Sequence, residues 1–268
     1  MDEHPAVTGD NRNEGNPAGI VDRQLDEIVD RANDPEAATP ARGPVRMDGG
    51  KLRDVLDWEE REIKDNVLRL GSLVADQILR AVEALERHDA DQALAVIIGD
   101  ARLNEAQRLI SALVARTIAT QQPVARDLRF LLALDHVAAD LERMGDHASS
   151  VAKQARKLAP VVTLDRRGHL PEIGRTTAQM VRDVLDALVE QDCDAAREVA
   201  ARDDEVDDLY HATFAEMLDL MRSNPDNVDP GTRVLFAAHY LERIGDRVTN
   251  IAEDVVFLAT GETEDLNP

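Results

Sequence analysis

The chain has 268 residues, 43% of them hydrophobic but only 3% aromatic. A core must therefore be built from Leu, Val, Ile and Ala, which favours helices over strands. Asp and Glu outnumber Lys and Arg by 53 to 31, a formal net charge of −22. Such a surface repels nucleic acid and attracts cations and basic partner surfaces. Part of that charge also fits solubility or a salty interior. The single cysteine, Cys193, excludes an internal disulfide and fits a reduced compartment. Its neighbours Asp192 and Asp194 argue against an activated thiolate. The N-terminus is acidic and polar, unlike a signal peptide. No apolar run approaches the ~18 residues of a membrane span. The expected product is soluble and cytoplasmic.

Taken in chain order, residues 1–50 read as a disordered acidic and polar tail rich in Gly, Pro, Asn and Asp. Within it, Val21, Leu25, Ile28 and Val29 share one helical face, enough for a transient or docking helix. Apolar spacing then predicts helices from Leu52 to Arg87 and from Asp89 to Ala119. A third follows, with Pro123 in its first turn, and runs to Leu158. Pro160, Gly168 and Pro171 predict a connecting loop. The pattern restarts with helices over Ile173–Val189 and Asp192–Met221. A loop is expected over 223–231, and a last helix over Thr232–Leu258. No segment alternates like a strand.

An internal repeat organises this pattern. Leu141-Glu142-Arg143-Met144-Gly145-Asp146 returns as Leu241-Glu242-Arg243-Ile244-Gly245-Asp246, an offset of 100. A heptad runs through each copy. Leu134, Leu141, Ala148 and Ala155 pair with Val137, Met144, Val151 and Leu158; Val234, Leu241, Val248 and Val255 pair with Ala237, Ile244, Ile251 and Leu258. Sustained heptads with two apolar positions argue for bundle packing. The expected fold is all-α, two pseudo-symmetric three-helix bundles over 51–160 and 168–262.

The chemistry rests on acids. Glu142 and Asp146, like Glu242 and Asp246, lie one turn apart on one helix face. Like charges at that spacing destabilise a helix by a few tenths of a kcal/mol, and the glycine before each Asp costs about another 1 kcal/mol. Two unfavourable choices at matching places make sense if a cation sits between the carboxylates. Asp203 and Asp207 add a similar pair, matched in the first repeat by Asp100 and Asn104. Oxygen ligands suit hard cations: magnesium, manganese, calcium or iron. Against this, the pairs fall outside the heptad seam, and in so acidic a chain outer-face acids are commonly just solvated. His239 lies one turn before Glu242, and Asn250 and Glu253 extend that face. These three are candidate extra ligands of the second copy, where the first has Ala139, Ser150 and Lys153. A carboxylate di-iron oxidase would need Glu-x-x-His pairs; His147 sits five residues after Glu142, and Arg247 replaces it in the second copy. No phosphate-cradling loop, nucleophile elbow or Cys/His metal spacing is present.

The segment Gln121-Gln122-Pro123-Val124-Ala125-Arg126-Asp127-Leu128-Arg129, followed by Leu141 to His147, resembles the PhoU family. So does the second Leu-Glu-Arg-Ile-Gly-Asp with Thr249-Asn250-Ile251-Ala252-Glu253. The resemblance covers Lys51 to Gly261. It implies two similar three-helix bundles and a negative regulator of the phosphate-starvation response that is not itself an enzyme. Its partners would be the ATPase subunit of a phosphate ABC transporter, a sensor histidine kinase and a second copy of itself. It would reach the inner membrane only through these partners. The resemblance also implies metal at Glu142, Asp146, Glu242, Asp246, Asp203 and Asp207, and at Asp100, with iron, zinc, magnesium or manganese as the ion. Asn104, where an acid is expected, would weaken the first site. A metal-buffering or metal-storing helical protein is the alternative.

Overall fold

The computed structural model describes residues 49–161 and 168–267. The amphipathic stretch at Val21–Val29 lies outside them. The described residues are helical and contain no strand.

The chain forms α1 (Gly49–Arg87), α2 (Ala90–Gln121), α3 (Arg126–Leu158), α4 (Leu170–Glu190), α5 (Cys193–Ala200), α6 (Asp203–Ser223) and α7 (Val228–Thr260). A short 3₁₀ turn, Pro225–Asn227, precedes α7. The α1–α2 and α4–α5 junctions use one device twice. His88 and Gln191 adopt left-handed backbone, φ 55° and 53°. The next residues, Asp89 and Asp192, cap the following helix by accepting from two backbone N–H groups each. Carboxylate N-caps of this kind are worth about 1 kcal/mol.

Four details differ from the sequence reading. Pro123 lies in the α2–α3 turn, not in a first helical turn, because Gln122 before it leaves the helix into left-handed backbone (φ 50°) and Ala125 follows at φ 49°. Pro171 sits inside the first turn of α4 instead of in the loop. Pro230 likewise falls within α7, which begins four residues earlier than expected, at Val228. The fifth predicted helix is interrupted at Ala201–Arg202, where the Arg202 N–H bonds to the Val199 carbonyl in a tighter turn. The Arg202 guanidinium there pairs with Asp183 of α4 at 2.5 Å. That tertiary contact fixes the break between α5 and α6.

The helices α1, α2 and α3 pack as one bundle, and α4, α5–α6 and α7 as another. The bundles join through α1 against α4 and α3 against α7. Both pairs run antiparallel. On α3 and α7, His136 meets Asp254, Asp140 meets Arg247, and His147 stacks on Tyr240. On α1 and α4, Gly71 faces Leu185 and Gly174 faces Val82. Every heptad seam residue of the first copy is buried, as are all those of the second except Leu258, which is partly buried. One continuous apolar core thus runs through both bundles, and the acidic motifs lie where α2 meets α3 and where α6 meets α7.

Candidate metal centres

Each acidic motif meets the acids of its own outer helix. In the first repeat, α2 brings Asp100 to Asp146 and Glu142 on α3, with Asn104 one turn further along α2. Burial and the Asp146 charge push the Asp100 carboxyl up to about 6, with Lys153 opposing. Glu142 is raised as well, by burial and Asp146, against Arg143 and Arg108. Oδ1 of Asp100 and Oδ1 of Asn104 are buried without a hydrogen-bond partner.

The second repeat is more enclosed. Asp203, at the start of α6, is only 5% exposed. Burial, then the charges of Asp246, Asp207 and Glu242, push its carboxyl up to about 7. Burial and Asp246 push Glu242 to about 7, with Arg243 opposing; Asp207 is raised by burial and Asp246. Arg243 holds Asp246 at 2.6 Å. The Nδ1 atom of His239 stands 3.4 Å from Glu242 Oε2, an ion-pair distance. That oxygen, and Asp203 Oδ1, have no hydrogen-bond partner. His211 donates from Nδ1 to the Asp207 carbonyl at 2.8 Å.

The glycines before the aspartates have a packing role. A Cβ on Gly145 would collide with Leu103 Cδ1. A Cβ on Gly245 would collide with Asp203 Oδ1 and touch Val206 Cγ1 at 3.5 Å. The cost of glycine in these helices therefore secures close approach of α2 to α3 and of α6 to α7, a second physical reason beside cation binding.

Buried carboxylate oxygens without partners are the signature expected of a cation site, since an isolated buried charge is costly. The donor chemistry fits hard cations. As the side chains stand, however, no three His, Cys, Asp or Glu among the described residues are gathered closely enough to hold an ion. Of the extra candidates, Glu253 instead accepts from the Leu266 N–H at 3.0 Å; His147, which the spacing already set apart from Glu142, stacks on Tyr240 with centroids 6.0 Å apart.

The Gln121–Arg129 segment lies away from the acidic clusters. Its Asp127 pairs with Arg53 of α1 at 2.5 Å, and its Arg126 donates to Gln191 of the α4–α5 turn at 3.3 Å. With Glu60, raised to about 7 by burial and then Asp127, these residues line a cavity of about 270 Å³. Sequence reasoning missed Glu60, which no local pattern marks. It also missed the fully buried Asp140, whose Oδ1 accepts from Arg143 at 3.0 Å and lies 3.6 Å from Arg247.

The family model described as PhoU domain matches residues 67–155 and 170–255, one match in each bundle. The chain belongs to the PhoU family. Among PhoU relatives, the phosphate-specific transport system accessory protein PhoU homolog of Clostridium acetobutylicum is 40% identical over 216 residues, 80% of this chain and 99% of the relative. The homolog of Caulobacter vibrioides is 39% identical over 199 residues, 73% of this chain and 86% of the relative. The crystal structure of PhoU from Pseudomonas aeruginosa superposes with a TM-score of 0.74 at 35% identity, over 77% of this chain and 99% of that one. The phosphate transport system regulatory protein PhoU from Streptococcus pneumoniae gives 0.73 at 32%, over 78% and 99%. Among the described residues, no helix is long and apolar enough to cross a membrane.

Proposed function

We propose that this chain regulates a phosphate transport system, acting as a negative regulator of phosphate uptake and of the phosphate-starvation response. It serves as an adaptor between the ATPase subunit of a phosphate ABC transporter and a sensor histidine kinase. The observation that carries this reading is the match to the PhoU domain in both bundles, with relatives whose names place them in phosphate-specific transport. Long rigid helical faces and a net charge of −22 support docking to basic partner surfaces, where complementary charge sets encounter rate and specificity.

The acidic clusters fit divalent or trivalent cations. Asp100, Glu142 and Asp146 would hold one, with Asn104 as a neutral donor; Asp203, Asp207, Glu242 and Asp246 would hold the other. A bound cation would offset the mutual repulsion of these carboxylates, tying α2 to α3 and α6 to α7. Replacing Glu242 with Gln and Asp246 with Asn should lower the metal content found by elemental analysis; unchanged content would remove the second site from the proposal.

The functional test is a strain lacking the gene and carrying no second copy, grown with ample phosphate. Transcripts of the phosphate-uptake genes should stay high. Transcripts that remain repressed would overturn the regulatory reading. Normal repression combined with altered metal tolerance would favour metal buffering instead.

A further inference from the structure

The segment after α7 turns back across the second acidic cluster and is anchored at four points. Gly261 ends the helix in left-handed backbone, φ 79°, its N–H on the Phe257 carbonyl. The Glu264 carboxylate takes Arg197 of α5 in a fork, Nε at 3.1 Å and a terminal nitrogen at 2.8 Å. Leu266 packs on the apolar core while its N–H bonds Glu253 Oε1 at 3.0 Å. Asn267 donates from Nδ2 to Asp203 Oδ2 at 3.1 Å. Between this strap and α7 lies a groove of about 650 Å³, with Asp246, Arg247 and Asn250 on one side and Glu264, Asp265 and Asn267 on the other.

The two oxygens of Asp203 are thus in different settings. Oδ1 is buried against Gly245, without a hydrogen-bond partner; Oδ2 accepts from Asn267 of the strap. While that hydrogen bond holds, Oδ2 is not free to join Asp207, Glu242 and Asp246 on an ion.

We propose that residues 261–267 form a latch that competes with a cation for Asp203, so that loading of the second acidic cluster and release of this strap are coupled. The inference rests on the cation reading given above. Removing Asn267 frees Oδ2 to join the other carboxylates; cation binding, in turn, breaks the Asn267 contact and loosens the strap. Release would uncover the seat of Leu266 and leave the Arg197 and Glu253 side chains without their strap partners.

The test compares the full-length protein with two full-length variants, Asn267→Ala at the competing contact and Arg197→Ala at a distant anchor. Circular dichroism first establishes that all are folded. Manganese binding is measured by calorimetry and by electron paramagnetic resonance, and backbone hydrogen exchange is followed over 261–267. A hydrogen bond to a charged group is worth about 1.5 kcal/mol or more, so Asn267→Ala should bind manganese about tenfold more tightly. Arg197→Ala should give a smaller gain in the same direction. In the parent, saturating manganese should abolish the exchange protection of the Leu266 amide. Equal affinity in all three proteins, or a Leu266 amide still protected at saturation, would overturn the latch. If that equal binding is lost in Glu242→Gln/Asp246→Asn, the cation site stands without it. If none of the proteins binds manganese, the cation reading falls and the latch with it.

Discussion

Leu103 and Val206 occupy matching places, each against the glycine of its Leu-Glu-Arg-x-Gly-Asp motif, and differ by one methylene. Leu103 fills the space beside Gly145. Val206 stands back from Gly245, and the volume it leaves is taken by Asp203 Oδ1. The same carboxylate position is therefore part-buried in Asp100 and almost fully buried in Asp203. Val206→Leu should refill that volume and expel the Asp203 carboxylate, lowering its proton affinity from about 7 toward the ordinary carboxylate range. Carboxyl chemical shifts followed by NMR against pH would measure this; an unmoved titration would reject the packing account. Overpacking should cost about 1–3 kcal/mol. The acidic residues were legible because duplication printed them twice. The difference between the copies was not, because it depends on which side chains face across two helices.

At the scale of elements, the antiparallel pair α3 and α7 holds the bundles together around polar groups as well as apolar ones. Asp140 is fully buried between Arg143 and Arg247, and beside it His136 Nδ1 meets Asp254 at 2.6 Å. Asp140→Ala should leave the Arg247 side chain, whose Nε already lacks a partner, further unsatisfied. The expected loss is about 1–3 kcal/mol of stability by urea denaturation. A neutral result would assign the pair to specificity only. The seam around this pair follows from its heptads, since a period of 3.5 needs no tertiary information. The interruption at Ala201–Arg202 does not. Ala and Arg are good helix formers, and only the contact of Arg202 with Asp183, on a different helix, sets the break. Pro123 misled for a similar reason: proline is at home both in a first helical turn and in a tight turn. The preceding Gln122 decides between them through its left-handed backbone.

For the whole molecule, the raised carboxyls set how stability responds to pH. Glu60, Asp203 and Glu242 rise to about 7 and Asp100 to about 6. Each binds its proton more tightly folded than unfolded, so the folded state gains from protonation and loses that gain as pH rises through these values. His136, raised by Asp254 against the opposing effect of burial, contributes in the same direction, since its ion pair weakens once it deprotonates. The melting temperature in chelator should therefore fall between about pH 5 and pH 8. Manganese should restore it mainly at the upper end, where the carboxylates are free of protons. A melting temperature that rises across this range would contradict the assigned shifts. A two-bundle molecule with identical ends would offer any partner two docking poses of equal energy. The two clusters remove that degeneracy: one end carries an enclosed, strapped carboxylate and the other a half-buried one. A partner that docked on the second cluster would meet the molecule in one orientation alone.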